Sequence, residues 1–368
     1  MTAIDVSEDL AGLDAALAEV PDSPAVFVLW PRTGDPHLSK TAFLRRRLLR
    51  LLREREKPSR LANLRHTLRR IEYQLTGSAF ESGVALYEEA RRLLPERYLE
   101  VTRLRMPPYV RMALSNEFPR SYITTHLRQA AGLHFGPFRS RASAERFEGQ
   151  FLDLFQVRRC QEDLVPSPGH PGCIYGEMGM CLRPCQEVVG AAEYRHEAER
   201  AAEFLRTGGR SMLDAVERSR DRLSEEMLFE EAARQHKRLE RVQEVLKLRD
   251  ELAGDVDRLD GVAITRSVAP EAVELWLVRR GNWMGPQRLS FLVHEGKPVP
   301  MDSALREMFA AAPPLRLTAR ERQEYLALLS RWYYSSWRDG EWLGFENYPD
   351  IPYRKLVNAV SRVARHTI

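Results

Sequence analysis

The stretch "CIYGEMGMCLRPC", from Cys173 to Cys185, contains three of the four cysteines in this 368-residue chain. The fourth, Cys160, precedes it, and together they form a C-x12-C-x7-C-x3-C array whose third member is Cys181. Unrelated core thiols would not be expected to gather in one short segment. Two alternatives remain, a pair of disulfides or a set of metal ligands.

The expected cellular compartment separates these alternatives. The chain has no run of about eighteen or more apolar residues, so no transmembrane helix is predicted. The N-terminal sequence "MTAIDVSEDLAGLD" lacks the basic flank and apolar core of a signal peptide. Both observations predict a cytoplasmic protein, where structural disulfides are rare. We therefore expect the four cysteines to bind a metal centre.

The spacing alone leaves the kind of metal centre open. Structural zinc sites usually have two closely spaced cysteine pairs, and only Cys181 and Cys185 come close to that pattern. Iron–sulfur clusters accept more varied spacing and often have a proline beside the last ligand, as Pro184 is here. Zinc and iron–sulfur both remain possible on these grounds.

The positive charge of the chain is concentrated in one segment. The net charge is +4, but Thr41 to Arg70 contains eleven Lys or Arg and two Glu. Arginine and lysine that neutralise phosphates release counterions, so this surplus suits a nucleic acid. We predict DNA contacts by Lys40, Arg45, Arg46, Arg50 and Arg53. The alternative is a solvated helix face that binds nothing.

The apolar pattern predicts a mixed, multidomain chain of the α/β or α+β class. "PAVFVLW" (Pro24 to Trp30) predicts a buried strand. A basic helix is predicted from about Lys40 to a break near Pro58, and a second helix from Leu61. Residues 190–252 lack proline and predict two long helices separated at "RTGGRS".

The cysteine block resembles that of the UvrC family, the incision subunit of bacterial nucleotide excision repair. The similarity extends to "LFQVRRC", to "HFGPFRS" (His134 to Ser140) and to "MPPYVRMALSNEFPRSYITTHL". In that family the four cysteines bind a [4Fe–4S] cluster. The resemblance therefore implies such a cluster on Cys160, Cys173, Cys181 and Cys185, and a DNA-binding role in repair.

A second block, Arg222 to Val242, is similar to the UVR motif, a helical hairpin through which UvrC meets UvrB. Apolar residues at helical spacing form a stripe along this block, and Phe229 offers an aromatic anchor for a partner helix. Glu230 and Arg234 belong to the charged flanks. The resemblance implies a UvrB-like partner, whereas the pattern alone also allows a hairpin that binds nothing.

The resemblance also places a GIY-YIG endonuclease domain at the N-terminus. "HLSKTAFLRRRL" aligns without gaps and puts Arg47 on the family's arginine and His37 on its second tyrosine. The metal-binding glutamate falls on Glu88 or Glu89. Phe27 stands where the family has its strand tyrosine.

Two interpretations of this centre follow. Phosphodiester cleavage requires a base, a cation and a divalent metal. His37 could act as the base, Arg47 as the cation, and a glutamate could hold Mg²⁺ or Mn²⁺. However, Phe27 has no hydroxyl, and Ser39 replaces a glycine that allows close backbone approach. These departures favour an inactive, retained fold over an active variant nuclease.

The C-terminal part is predicted to be a truncated RNase H-like domain without its catalytic carboxylate motif. Its strands resemble those that introduce that domain in the family, and its Trp/Tyr-rich end suits a core better than base stacking. We expect a leader at 1–20, a degenerate GIY-YIG-like domain at 21–105, the cysteine region at 106–189, the UVR-type hairpin at 190–255 and the last domain at 256–368.

The two functions predicted are therefore different in kind. The first is an accessory or regulatory factor of nucleotide excision repair that binds DNA and has an inactive nuclease centre. The second is a metal-dependent endonuclease that makes a single incision near a lesion. Both keep the iron–sulfur cluster and the UvrB-like partner.

Overall fold

The computed structural model describes residues 1–10, 12–53, 64–128, 132–291, 300–311, 317–346 and 348–365. Within these ranges the strands are β1 (Thr2–Asp5), β2 (Ala25–Pro31), β3 (His37–Thr41), β4 (Leu68–Leu75), β5 (Tyr109–Met112), β6 (Ser121–Thr124), β7 (Leu133–Gly136), β8 (Gly254–Asp255), β9 (Asp260–Arg266), β10 (Ala272–Arg279), β11 (Asn282–Ser290) and β12 (Gly340–Phe345). The α-helices are α1 (Leu13–Glu19), α2 (Leu44–Leu51), α3 (Leu64–Thr67), α4 (Ala79–Leu93), α5 (Tyr98–Thr102), α6 (Arg141–Leu152), α7 (Ile174–Glu177), α8 (Ala191–Arg206), α9 (Arg210–Glu225), α10 (Phe229–Lys247), α11 (Met301–Ala311), α12 (Ala319–Tyr333) and α13 (Tyr353–Arg365). The strands form antiparallel sheets and the helices pack against them, which confirms the α+β class.

Residues 1–20, expected as a leader, are instead part of the N-terminal fold. β1 pairs antiparallel with β4, so Ile4 lies opposite Ile71. Leu13 and Leu17 of α1 are buried in the core beneath this sheet. They stand four residues apart and share one face of the helix. Strand pairing and core packing stabilise β1 and α1, and no local sequence signal predicts them.

The N-terminal sheet has the strand order β1-β4-β2-β3. The strand predicted at Pro24 to Trp30 is confirmed as β2 and is buried along most of its length. The basic helix starts later than predicted, because Lys40 belongs to β3 and α2 begins at Leu44. The break near Pro58 and the helix start at Leu61 lie outside the described residues.

Helix α4 connects the two ends of the chain through one hydrophobic core. Its Phe80 ring lies 5.3 Å from Trp276, 5.8 Å from Trp283 and 4.8 Å from Trp332, measured between ring centroids. Val26 of β2 belongs to the same buried cluster. The segments divided at 21–105 and 256–368 therefore pack against each other, and Trp332 is a core residue.

A buried carboxylate strengthens the same contact. Glu324 of α12 is 1% exposed. It accepts hydrogen bonds from the hydroxyls of Tyr87 and Tyr98, each at 2.6 Å. Arg320, one turn earlier in α12, donates a further hydrogen bond to Glu324 at 3.0 Å. This carboxylate therefore joins α12 to both α4 and α5 and satisfies two tyrosine hydroxyls.

The middle of the chain has its own sheet, in the order β6-β5-β7-β8. Phe135 of β7 stacks on Phe147 of α6 at 5.2 Å, and Phe147 lies 6.1 Å from Phe151. Phe204 of α8 packs on Phe151 at 5.5 Å. Because α8 and α10 share this core with α6, the division at residue 190 separates segments that pack together.

Residues 190–252 form three helices rather than the two predicted. The break at "RTGGRS" is confirmed between α8 and α9. A second break follows at Glu226 to Leu228, where Met227 has a φ of 58°. No glycine or proline marks this turn, and the sequence therefore reads as continuous helix.

The C-terminal sheet is antiparallel in the order β11-β10-β9-β12. Its strands β9, β10 and β11 confirm the strands that the apolar pattern predicts at "GVAITRS", "AVELWLVRRG" and "QRLSFLVHEG". Along β9, Val262 and Ile264 are buried with α13, whereas Ala263 is buried with α12 on the other face. This alternation is the period-two pattern of a strand covered on both sides. No described helix is long and apolar enough to cross a membrane.

Candidate functional site

The four cysteines lie on loops that pack against the middle sheet and α8. Cys160 lies in the irregular segment after α6, and Cys173 is the N-cap residue of the short helix α7. Cys181 and Cys185 are buried, Cys160 is half-buried and Cys173 is exposed. The Ser167 amide donates to the Cys185 carbonyl at 2.9 Å, which closes the loop between them. All four thiols are free.

The thiols are close enough to affect one another electrostatically. Burial raises the pKa of Cys181 to about 11, and repulsion from Cys160, Cys173 and Cys185 contributes in the same direction. Burial followed by repulsion from Cys173 and Cys160 also raises the pKa of Cys185. The four cysteines therefore lie in one region of the fold, and their role as ligands stays a prediction. The raised pKa values favour the protonated thiols, and a thiolate at these positions would need a nearby positive charge.

Arg158 is a positioning residue that the sequence analysis missed. It is buried, and its Nη1 donates to the Cys160 sulfur at 3.3 Å and to the Glu162 carbonyl at 2.9 Å. Its amide donates to the Tyr194 hydroxyl at 2.9 Å. The guanidinium thus holds the loop and places positive charge beside one thiol. No sequence signal reveals this role, because it depends on the burial of Arg158 and on its contact with Cys160.

The donor set is compatible with an iron–sulfur cluster. No described group of three or more His, Cys, Asp or Glu is arranged to hold a single metal ion. A [4Fe–4S] cluster binds its four thiolates through different irons, and its ligands do not have to converge on one ion. Four free thiols in one segment, with a guanidinium beside Cys160, are the donors that the chain offers for such a cluster.

The nuclease candidates are only partly assembled. Partial burial and then the charge of Arg47 lower the pKa of His37. The two side chains therefore lie near each other. The Phe27 ring lies 6.3 Å from the His37 ring. Phe27 also pairs with Ser39 across β2 and β3. These four residues therefore occupy one region of the N-terminal sheet, with no hydroxyl at position 27.

The two glutamate candidates have other contacts. The Glu88 carboxylate accepts a hydrogen bond from the Tyr325 hydroxyl at 3.0 Å, and the loss of solvent beside it raises the pKa of Glu88. Glu89 forms an ion pair with Arg92 at 2.6 Å, one turn along α4. Among the described residues no contact joins either carboxylate to His37 or Arg47.

The predicted DNA-binding residues divide into two groups. Arg45 donates to the Val20 carbonyl at 2.8 Å, and Arg46 forms an ion pair with Asp22 at 2.5 Å. These contacts attach α2 to the preceding loop. Arg50 and Arg53 are exposed at the end of α2. Lys40 is half-buried below Trp337, with its nitrogen 5.6 Å from that ring. The exposed arginines are therefore the better candidates for phosphate contact.

The α9–α10 turn exposes a compact apolar group at its end. Met227 is 74% exposed, Leu228 44% and Phe229 65%. The predicted apolar stripe divides here, because Ala232 of α10 is buried, as are Leu239 and Val242 further along the helix. Glu230 and Arg234, the other predicted partner residues, are exposed beside the tip. We call Met227, Leu228 and Phe229 the apolar tip.

Fold and site together define an α+β protein whose middle part carries a four-cysteine segment. Residues 108–204 match the family model described as the middle domain of the UvrC/Cho excinuclease. The UvrABC system protein C of Lachnospira eligens is 24% identical over 287 residues, covering 77% of this chain and 47% of that protein. Its counterpart in Acetivibrio thermocellus is 22% identical over 366 residues, covering 95% and 56%. That of Dehalococcoides mccartyi is 24% identical over 371 residues, covering 97% and 59%.

The middle-domain match and these relatives show that the chain is similar to proteins of the UvrC family over most of its length, which supports a UvrC-family protein. The chain spans about half the length of the curated relatives it matches. No solved structure matches it. The resemblance found in the cysteine block is thereby confirmed at the level of the family.

Proposed function

We propose that this protein acts in nucleotide excision repair as an iron–sulfur, DNA-binding factor whose N-terminal nuclease centre is inactive. The carrying observation is the similarity to UvrABC system protein C, which includes the middle-domain match at residues 108–204. The accessory role follows from the residues of the N-terminal sheet. The C-terminal sheet fits the same proposal as an RNase H-like domain that lacks its catalytic carboxylates.

The proposed [4Fe–4S] cluster is supported by the cysteine geometry. Four thiols from one segment influence each other, although Cys173 is exposed and Cys181 is buried. Arg158 adds a positive charge at Cys160, which favours a thiolate ligand. The cluster would attach the exposed loop of Cys173 to the buried loop of Cys181. In this role it is structural, because metal binding couples to the order of its ligand loops.

The inactive nuclease is supported by the contacts of the glutamates. A metal-dependent phosphodiesterase needs a carboxylate that is free to hold its metal near the attacking group. Glu88 instead accepts from Tyr325, and Glu89 pairs with Arg92. Phe27 cannot donate or accept a hydrogen bond at the position of the family tyrosine. We therefore assign this sheet a structural and DNA-contact role.

An incision assay tests this assignment. We expect the protein to bind damaged duplex DNA and to leave it uncut with Mg²⁺ or Mn²⁺, in the presence or absence of a UvrB-type protein. Product formation is measured on denaturing gels. Incision by the wild-type protein that disappears in the Arg47→Ala variant would show that the alternative is correct.

That alternative, a variant nuclease, has one observation in its favour. His37 lies beside Arg47, so a base and a cation are available in one region. The lowered pKa of His37 keeps its imidazole neutral near pH 7, the form that can accept a proton. A pH profile of any incision should then fall as pH drops through the pKa of His37. The His37→Ala variant would lose that activity.

A UvrB-type partner is proposed to bind the apolar tip. Monomeric proteins rarely expose several large apolar side chains side by side, and such groups mark contact sites. Met227 and Phe229 are both exposed at the end of a two-helix hairpin. Glu230 and Arg234 beside them could add charged contacts at the rim. The tip thus has the form of a helix-in-groove contact.

Replacing Phe229 with aspartate should abolish this contact. A buried aromatic anchor contributes on the order of 2 kcal/mol or more to binding, so capture of a UvrB-type protein should weaken at least about 30-fold. Affinity is measured by isothermal titration calorimetry. Val165→Asp is the matched control, because Val165 is also highly exposed but lies in the cysteine region. Equal affinities for both variants would refute the role of the tip.

A further inference from the structure

A second basic surface lies away from α2. An open cleft of about 770 Å³ is enclosed by the segment before β5, the start of α6 and the end of α12. No Asp or Glu is among the described residues that line it, and its charged lining consists of five arginines, Arg103, Arg105, Arg139, Arg141 and Arg331. Three separate parts of the chain therefore contribute charge of one sign to one cavity.

Most of these guanidinium groups are not neutralised by the protein. Arg141 forms an ion pair with Glu145 at 2.7 Å. Within the described ranges, the other four arginines form no ion pair. Arg331 donates to the Thr102 carbonyl at 2.9 Å, and Arg139 lies over the Tyr334 ring at 5.3 Å. These contacts orient the two side chains without cancelling their charge.

A second carboxylate near this group, besides Glu145, has other partners. Asp250 accepts hydrogen bonds from the Arg139 amide at 2.7 Å and from the Ser143 hydroxyl at 2.8 Å. It therefore holds the start of α6 in place rather than pairing with a guanidinium. Like charges held together in this way destabilise one another unless an anion binds between them.

The basic surface continues beyond the cleft toward the N-terminal sheet. Arg331 also lines a small adjoining recess with Lys40 and Trp337. Burial and then repulsion by Arg331 lower the pKa of Lys40. An extended polyanion could therefore follow Arg103, Arg331 and Lys40 along one path. A compact anion would occupy only one part of it.

A larger cleft differs in its charge. It has a volume of about 820 Å³ and lies between the α8–α9 turn and the C-terminal sheet. Its arginines alternate with carboxylates, which include Glu251, Asp255, Asp257, Asp260 and Glu346. Arg210 and Glu346 form an ion pair there at 2.6 Å. Those carboxylates would repel phosphate, so the smaller cleft is the better anion site.

We propose that the arginine cleft binds the phosphodiester backbone of a nucleic acid. The arginines supply bidentate phosphate donors, and Tyr334 supplies an aromatic wall beside Arg139. The proposal rests on the DNA contact of the proposed function and identifies a site for it outside the basic helix α2. Binding through it is sequence-independent, since only backbone phosphates are contacted.

The test compares two variants that lose equal charge. Arg103→Gln/Arg105→Gln/Arg139→Gln removes three cleft arginines, and Arg218→Gln/Arg354→Gln/Arg365→Gln removes three exposed arginines on α9 and α13. Binding of a fluorescein-labelled duplex is measured by anisotropy between about 50 and 200 mM salt. The cleft variant should bind about 30- to 100-fold more weakly, and the slope of log K against log salt should fall by about 2 to 3.

Each outcome bears on a different statement. If the wild-type protein does not bind the duplex, the DNA contact of the proposed function fails and the cleft assignment fails with it. If the wild type binds and both variants weaken equally, only the cleft assignment fails. Inorganic triphosphate that displaces the duplex at equal phosphate concentration would identify a small-anion site instead. Arg103→Lys/Arg105→Lys/Arg139→Lys, which keeps the charge, should retain most of the affinity, and its failure with unchanged thermal unfolding would overturn the electrostatic explanation.

Discussion

Replacing Cys181 with serine should leave the anaerobically purified protein colourless and almost free of iron. The wild-type protein should contain about four irons per chain and show the visible absorption of a [4Fe–4S] cluster. Cys181 is buried, and the other three thiols all act on it, so its loss removes a central ligand. Iron is measured by inductively coupled plasma mass spectrometry. The loops around Cys160 and Cys173 should also become sensitive to limited proteolysis, since their order depends on the bound metal.

Met178→Ser is the matched control for this change. It removes a sulfur-containing side chain from the same segment, but Met178 is exposed and is a thioether rather than a thiol. Iron content and colour should therefore stay at the wild-type level. A colourless wild-type protein that carries stoichiometric zinc would overturn the iron–sulfur proposal. It would still support a metal centre on the four cysteines.

The Glu324→Ala variant should lose about 2 to 5 kcal/mol of unfolding free energy through the cavity and the two unsatisfied hydroxyls. The side chain is 1% exposed and accepts from Tyr87 and Tyr98. Alanine leaves both hydroxyls without their acceptor and opens a cavity between α12 and α4. The unfolding free energy is measured by urea titration, followed by tryptophan fluorescence, because Trp332 lies on the same helix.

Glu324→Gln separates the hydrogen bonds from the shape of the side chain. Glutamine keeps nearly the same volume and one carbonyl acceptor, so the loss should be clearly smaller than for alanine. Tyr98→Phe removes one donor and should cost about 1 kcal/mol. An alanine variant as stable as the wild type would show that α12 does not depend on this carboxylate.

The local elements of the fold could be predicted because their signals are local. β2 is a short apolar run that ends near Pro31, and α4 begins at Ser78, which accepts a hydrogen bond from the Glu81 amide. The second break in the helical region has no residue signal, because Met227 adopts a positive φ without glycine, and only the resemblance to a helical hairpin implied a turn there. The position of β1 could not be predicted either, since its partner β4 lies far along the chain.

In the candidate site, too, the sequence predicts some features and not others. The cysteine spacing predicts a ligand set, since four thiols in one segment are rare in a core, and this set stays a prediction. The role of Arg158 depends on burial and on its bond to Cys160, and residue spacing does not reveal either. The contact of Glu88 with Tyr325 joins residues 237 positions apart. It decides whether this glutamate is free to hold a metal, and pattern alone could not show it.

The shared core of α4 and α12 also has a consequence for protein synthesis. Tyr87 and Glu324 are separated by 237 residues. A ribosome that adds about 5 to 20 residues per second needs roughly ten to fifty seconds to make that interval. During this time the nascent N-terminal sheet is complete in sequence while the outer face of α4, with Phe80, lacks its cover. This apolar face therefore stays uncovered on the nascent chain until the C-terminal residues that pack on Phe80 have been made.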